Sequence, residues 1–286
     1  MAASAHATSR RILLVDDDRG LRHVLSTLLT AAGHVVSSVG DGPEAIALLR
    51  HDAYDIVLVD IGLPSMSGLE VLGHARALPN PPLVIVMTSD DTSETLIEAV
   101  RRQAYRYVRK PIAPNAIVEI IDVAVAKATA AALSIEVVSA KPEWLEIIAP
   151  CSLEMADRLQ SFVMHLEADL PERVRESVAQ AFRELLTNAI EWGGKLDPGR
   201  KVRISCVRAK RMLLYRIADP GEGFDLDRLR HAAISNPVGD PFQHLDVRDA
   251  QGLRPGGYGL AMTRSLVDEL IYNETRNEVI CIKYLD

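Results

Sequence analysis

The sequence predicts two α/β domains in series, and three observations carry that prediction. Its 286 residues exceed what one core usually fills, since single domains stop growing near about 250–300 residues. Hydrophobic residues make up 48% and charged residues 25%, enough apolar material for full cores and enough charge for a wetted surface. Short β-branched runs alternate with longer helical patterns from Arg11 to about residue 128, after which the order of elements changes.

The first half reads RILLV, LRHVLSTLLTAAG, HVVSSV, PEAIALLRH, DIVLVD, LEVLGHARAL, PLVIVM, TLIEAVRRQA, YRYV and PNAIVEIIDVAVAKA. This alternation predicts a doubly wound, five-stranded parallel sheet over 11–128, behind a flexible N-terminus of residues 1–10. ILLV, DIVLVD and PLVIVM are nearly unbroken apolar runs, as strands covered on both faces must be. A linker is expected over 129–142, where an alanine-rich tail meets Pro142. From 143 to 286 the pattern predicts a two-layer α/β domain with helices on one face of a mixed sheet. Its elements are a strand WLEIIAP, helices Leu153–Leu166 and Pro171–Trp192, the strand pair KVRISCVRA and MLLYRIAD, a helix GLAMTRSLVDEL and a strand EVICIKYL.

The net charge of −7 argues against a nucleic-acid or membrane-surface binder driven by electrostatics. Cys151, Cys206 and Cys281 are widely spaced and form no CxxC pair, so neither a disulfide framework nor a zinc site is expected, and a reducing cytoplasm fits. The opening MAASAHATSRR lacks a signal-peptide core, and no apolar run reaches transmembrane length.

Asp16, Asp17 and Asp18 follow the first strand and Asp60 ends the third. Thr88 ends the fourth, and Lys110 with Pro111 follows the fifth. Ligands in doubly wound sheets bind at the carboxyl ends of strands, so these side chains share one rim. Like charges so close call for a hard cation, Mg²⁺ being the simplest, and a carboxylate beside a cation and a lysine can attack a phosphoryl donor. The set DDD, DIGLPSMSG, TS and YVRKP resembles the CheY-like receiver domain of response regulators over 11–128. The resemblance implies that Asp60 is the phospho-acceptor and that Asp16, Asp17, Asp60 and the Gly62 carbonyl hold Mg²⁺. It further implies that Lys110 binds the phosphoryl group, that Thr88 and Tyr107 are the switch residues, and that Lys110–Pro111 is cis. Gln103 stands where receivers usually place a glycine.

In RELLTNAIEWGG, Glu184 and Asn188 lie four apart on one helical face, with Glu191 continuing the stripe. ADPGEGF supplies Asp219, Gly221 and Gly223 after a strand, and RPGGYGLAM supplies Gly256, Gly257 and Gly259 at a helix start, where bare N–H groups suit phosphate. The order Glu…Asn, Asp-x-Gly-x-Gly, Gly-x-Gly-Leu resembles the GHKL ATPase superfamily over 143–286. That resemblance implies ATP and Mg²⁺ as cofactors, with Asn188 on the metal, Asp219 on the adenine amino group and Gly221 and Gly223 in the same ATP-binding loop. Gly256, Gly257, Gly259 and Leu260 would sit against phosphate, Glu184 would be the general base, and 224–255 would be an ATP lid.

The segment 128–150 is too short for the helical hairpin that carries an acceptor histidine in the usual histidine kinases. His51, the only histidine followed by an acid, lies inside the first domain, and His165 misses the acceptor pattern at the adjacent residue. The compact layout resembles instead the anti-sigma-factor serine/threonine kinases. The expected protein is a cytoplasmic response regulator, phosphorylated by a cognate histidine kinase, whose output domain is an ATP-dependent protein kinase. An anti-anti-sigma protein of STAS type or a sigma factor is the implied partner, with no nucleic acid or membrane, and homodimerisation is left open. The rivals are phosphorylation of a separate His-bearing partner and an ATP-gated module that sequesters its partner without catalysis. A transcription factor fits less well, since no helix-turn-helix with a basic recognition helix follows the first domain.

Overall fold

The computed structural model describes residues 9–89, 92–127, 134–141, 143–225, 240, 242–250 and 257–285. The chain divides between residues 132 and 133 into two compact units.

In the first unit, β1 (Arg11–Val15), β2 (Val35–Val39), β3 (Ile56–Asp60), β4 (Leu83–Thr88) and β5 (Arg106–Arg109) form a parallel sheet in the order β2-β1-β3-β4-β5. α1 (Arg19–Ala31), α2 (Gly42–His51), α3 (Gly68–Arg76), α4 (Ser93–Arg101) and α5 (Pro114–Lys127) alternate with the strands, as the sequence predicts. Local chemistry sets their starts. Asp18 accepts from the Gly20 and Leu21 amides, Ser67 and Glu70 close a capping box on α3, and Thr92 caps α4. The core is built from Ile12, Leu14, Ile56, Leu58, Ile85 and Met87 of the three central strands, with Leu25 and Leu29 of α1 and Ile117, Ile121 and Ala124 of α5. Gln103 keeps the left-handed turn that glycine usually supplies, at φ 64°, and the Lys110–Pro111 bond is cis.

In the second unit, β6 (Glu136–Lys141), β7 (Trp144–Pro150), β8 (Lys201–Ala209), β9 (Met212–Ala218), β10 (Glu269–Tyr272) and β11 (Glu278–Tyr284) form a sheet in the order β10-β11-β9-β8-β7-β6. Every pairing is antiparallel, which corrects the mixed sheet expected from sequence. Alternation is strict in β9, where Leu213, Tyr215 and Ile217 are buried, and Leu145, Ile147, Val202, Ile204, Val279 and Cys281 join them on the covered side. α6 (Leu153–Leu166) packs on α7 (Glu172–Asn188), and α7 packs on α9 (Gly259–Leu266) and against β9 and β11.

Four further expectations change. β6 lies inside the expected linker and pairs with β7. The helix expected over Pro171–Trp192 is α-helical only to Asn188 and continues as a π-helical turn, Ala189–Gly193. α8 (Gln243–Ala250) is a helix within the segment read as an unstructured lid. The last helix stops at Leu266, and Glu269 and Leu270, read as its end, open β10 instead. The tail 128–133, Pro142, Gly256 and most of 224–255 lie outside the described residues. The three cysteines are free and buried. Among the described residues no helix is long and apolar enough to cross a membrane.

Candidate functional site

In the first unit, parallel strands of matched register bring their ends to one rim. Asp16 follows β1 and is fully buried, Asp60 ends β3 at 6% exposure, and Thr88 ends β4 at 2%. Ligand oxygens of Asp16, Asp17 and Asp60 lie within 4.8 Å of one another. Lys110 reaches back from beyond β5, its Nζ 2.7 Å from Asp16 Oδ2 and 3.0 Å from Asp60 Oδ2. Asp16 Oδ1 accepts from the Asp18 amide at 2.9 Å, and Arg22 donates to the Asp16 carbonyl. Burial pushes the Asp16 carboxyl up, the hydrogen bond from Lys110 opposing it. Burial also works against the Lys110 charge, but its bonds to Asp16 and Asp60 outweigh that and hold the ammonium above its ordinary value. Three carboxylates against one lysine leave the rim negative, so the donor set fits a divalent hard cation. Tyr107 is buried in β5. Gly62 is exposed beside this rim, where an added Cβ would stand 3.7 Å from Asp60 Oδ2.

Sequence reasoning gave Gly68 no role. A Cβ there would lie 2.0 Å from the Asp60 carbonyl oxygen, so only glycine lets α3 start against the end of β3.

The second unit holds a cavity of about 700 Å³ between α7, the end of β9 and the start of α9. Glu184, Asn188, Asp219, Gly221, Gly223, Gly257, Gly259 and Leu260, all singled out by sequence, line it, and Glu191 does too. α7 supplies Glu184 and Asn188 one turn apart. A Cβ at Gly259 would meet Glu184 Oε2 at 2.6 Å, so the start of α9 closes directly onto that carboxylate. Asp219 Oδ1 accepts from the Gly221 amide at 2.7 Å. Burial pushes the Asp219 carboxyl up, the Gly221 amide and Arg200 opposing it. The π-helical turn brings Gly193 under Asp219, where a Cβ would stand 2.0 Å from Oδ1. This contact also escaped the sequence reading, since nothing in WGG marks the extra helical residue.

The turn between β10 and β11 holds the glycine loop. Asn277 donates from Nδ2 to the Gly221 carbonyl at 3.1 Å and accepts from Asn273 and Thr275, while its carbonyl receives the Asp219 amide at 2.8 Å. Gly223, at φ 80°, runs so close that a Cβ would lie 1.6 Å from the Thr275 carbonyl.

His51 is exposed at the end of α2, and His165 contacts the Ser161 carbonyl within α6. Neither borders the lining of the cavity.

Two family profiles cover most of the chain. Residues 12–122 match the response regulator receiver domain, and residues 150–283 match the histidine kinase-like ATPase domain. Among curated relatives, the response regulator protein FleR of Pseudomonas aeruginosa is 34% identical over 112 residues, 39% of this chain and 24% of that protein. The DNA-binding response regulator MtrA of Mycolicibacterium smegmatis is 35% identical over 109 residues, 38% of this chain and 47% of that protein. The match thus spans a quarter to a half of these relatives. Among solved structures, the chemotaxis response regulator CheY4 of Vibrio cholerae is 26% identical with a TM-score of 0.38, covering 40% of this chain and 97% of that one. A CheY-like receiver domain protein of Methanospirillum hungatei is 27% identical with a TM-score of 0.41, covering 42% of this chain and 97% of that one. The two profiles and the fold define a protein of two domains in series. The chain carries a response regulator receiver domain followed by a GHKL histidine kinase-like ATPase domain. The ATPase domain implies ATP binding.

Proposed function

We propose that the chain is a response regulator in which Asp60 accepts a phosphoryl group from a histidine kinase and the second domain is an ATP-dependent kinase of the anti-sigma-factor type, acting on Ser or Thr. The observation that carries this reading is the pairing, on one chain, of a carboxylate rim bridged by Lys110 with a cavity that gathers Glu184, Asn188 and Asp219.

At the rim, an Asp60 oxygen forms the new bond to phosphorus while the bond from phosphorus to the donor histidine nitrogen breaks. Lys110 lies where it offsets the added negative charge. Asp16, Asp17 and Asp60, with the Gly62 carbonyl, would hold Mg²⁺, which supplies the rest of that neutralisation. Thr88 and Tyr107 would report the change.

In the second domain Asp219 would accept from the adenine amino group, Asn188 would hold the Mg²⁺ of the nucleotide, and Gly257, Gly259 and Leu260 would face phosphate. Glu184 would take the proton of the attacking hydroxyl as its oxygen bonds to the γ-phosphorus and the bond to ADP breaks. An anti-anti-sigma protein or a sigma factor is the partner this branch suggests.

Labelled ATP incubated with the purified protein and candidate partners tests the reading, with Asp60→Ala and Asn188→Ala beside the unsubstituted chain. Alkali-labile, acid-stable phosphate on the partner is expected. Acid-labile phosphate would move the acceptor to histidine, and tight binding without transfer would leave a sequestering module. Unchanged affinity of Asn188→Ala for Mg-ATP would overturn the assignment of the cavity.

A further inference from the structure

The run from Asp219 to Phe224 follows β9 without forming helix or strand, so its carbonyls need donors from elsewhere. Three side chains supply them. Arg200, just before β8, donates from Nη2 to the Pro220 carbonyl at 2.6 Å. Asn277 donates from Nδ2 to the Gly221 carbonyl at 3.1 Å, and Arg276 from Nη1 to the Phe224 carbonyl at 3.4 Å. Two of the three come from the single turn that joins β10 to β11.

That turn is itself tightly held. The Asn273 carbonyl accepts from the Arg276 amide at 3.1 Å, with Arg276 left-handed at φ 58°, and Asn273 Oδ1 accepts from the Glu278 amide at 3.1 Å. Asn277 Oδ1 accepts from Asn273 Nδ2 at 2.8 Å and from Thr275 Oγ1 at 2.7 Å. With its oxygen so fixed, the amide of Asn277 can turn only its nitrogen to Gly221. Gly221 passes the constraint on, since its own amide donates to Asp219 Oδ1 at 2.7 Å. From the other side, a Cβ at Gly221 would lie 2.8 Å from Gly193 Cα, so the loop cannot slide toward the π-helical turn.

We propose that Asn277 is a positioning residue of the nucleotide site, whose side chain fixes Gly221 and through it aims the Asp219 carboxylate at the base. The inference rests on the nucleotide reading given above, in which Asp219 takes the adenine amino group, and adds a residue outside the glycine and asparagine motifs. Its action is preorganisation. A loop already held by the turn loses little freedom when the base arrives, and a released loop must be ordered at the expense of affinity.

Asn277→Ala removes the side-chain donor and keeps the main-chain carbonyl that receives the Asp219 amide. Calorimetric titration of the full-length chain should show ATP and ADP weakened by the same factor, about fivefold, because the change enters at the base end. A pH profile separates positioning from a merely structural role. The Gly221 amide and Arg200 oppose the burial that raises the Asp219 carboxyl, and the nearby Cys151 thiol, pushed up to about 11, stays neutral. Glu184, Glu191, Lys195, Glu222 and Arg276 also line the cavity and are the same in both proteins. A released Gly221 amide opposes burial less, so the fall of ATP affinity on acidification should begin at a higher pH in the variant. Should Asn277→Ala fail to fold, Asn277→Asp keeps the size and the acceptor for Asn273 and Thr275 but no donor, and should weaken ATP at least as much. ATP affinity within twofold of the unsubstituted protein in a folded variant, or an unmoved pH profile in Asn277→Ala, would overturn the inference while leaving the nucleotide site standing. Failure of the unsubstituted chain to bind ATP would overturn the nucleotide reading itself, and this inference with it.

Discussion

Asp219 shows how a single side chain ties stability to ligand. Burial raises its carboxyl above the ordinary value, so the stabilising protonated form is fully present below about pH 4 and is lost as pH rises through the raised value. At neutral pH the ionised group is a cost to the empty protein, and in the role proposed above an adenine amino group would offset it. Asp219→Asn keeps an acceptor for the Gly221 amide and removes the buried charge. We expect the unliganded variant to unfold about 2 °C higher, on the usual scale of a 1 kcal/mol change, while ATP binding weakens more than tenfold. In the unsubstituted protein, calorimetric titration should show ATP affinity falling on acidification at a pH above the ordinary carboxylate range. An affinity flat down to pH 4 would contradict this. The receiver rim obeys related arithmetic. Asp16, Asp17 and Asp60 repel one another within 4.8 Å, so Mg²⁺ should raise the unfolding temperature, and Asp17→Asn should abolish that rise without destabilising the metal-free protein. Thermal scans with and without Mg²⁺ separate the two effects.

Elements meet here through glycines whose demands differ, and substitution reads the difference. Gly33 has φ 95° but open space, so Gly33→Ala should cost only the backbone term of about 1 kcal/mol. Gly68→Ala would drive a methyl into the Asp60 carbonyl, and Gly223→Ala one into the Thr275 carbonyl, so each should cost about 3 kcal/mol or more. Gly68→Ala should also lose Asp60 phosphorylation by acetyl phosphate, and Gly223→Ala should lose ATP binding. Hydrogen exchange would place the second defect in the β10–β11 turn. The same contacts explain what the sequence could convey. The parallel strands are legible because burial on both faces leaves ILLV and LVIVM no room for polar residues. Asp16, Asp60, Thr88 and Lys110 follow, because strand ends have fixed places in that fold. β6 is hidden, since VVSAK is a half-exposed edge strand with little apolar signal. β10 is hidden because SLVDEL keeps the helical period of α9, and only the extended backbone of Val267, at φ −114° and ψ 162°, breaks it. Gly193 is hidden because a π-helical turn shifts register without any residue type that announces it.

For the whole molecule, the open question is whether the two sites exchange free energy. Each unit has its own buried core, so coupling requires a physical connection between them. One is available in the chain, for α5 ends at Lys127 and β6, the edge strand of the ATPase sheet, begins at Glu136. Only 128–135 intervene. With Asp60 as the acceptor proposed above, phosphorylation would replace a carboxylate of charge −1 by an acyl phosphate of about −1.5 to −2 beside Lys110, a net gain of about half to one negative charge that would bias a two-state rearrangement of Thr88, Tyr107 and the elements after them. If α5 carries that bias to β6, the affinity of the full-length chain for Mg-ATP should change by about fivefold or more between the phosphorylated and unphosphorylated forms. Asp60→Ala should be locked at the unphosphorylated value. Linkage makes the effect reciprocal, so Mg-ATP must shift the equilibrium of Asp60 with a small phosphoryl donor by the same factor. Lengthening 128–135 with a glycine–serine insert should abolish both shifts and leave each site's own affinity intact. Equal ATP affinities in the two forms, with no effect of Mg-ATP on the Asp60 equilibrium, would make these two independent phosphate sites that share a chain.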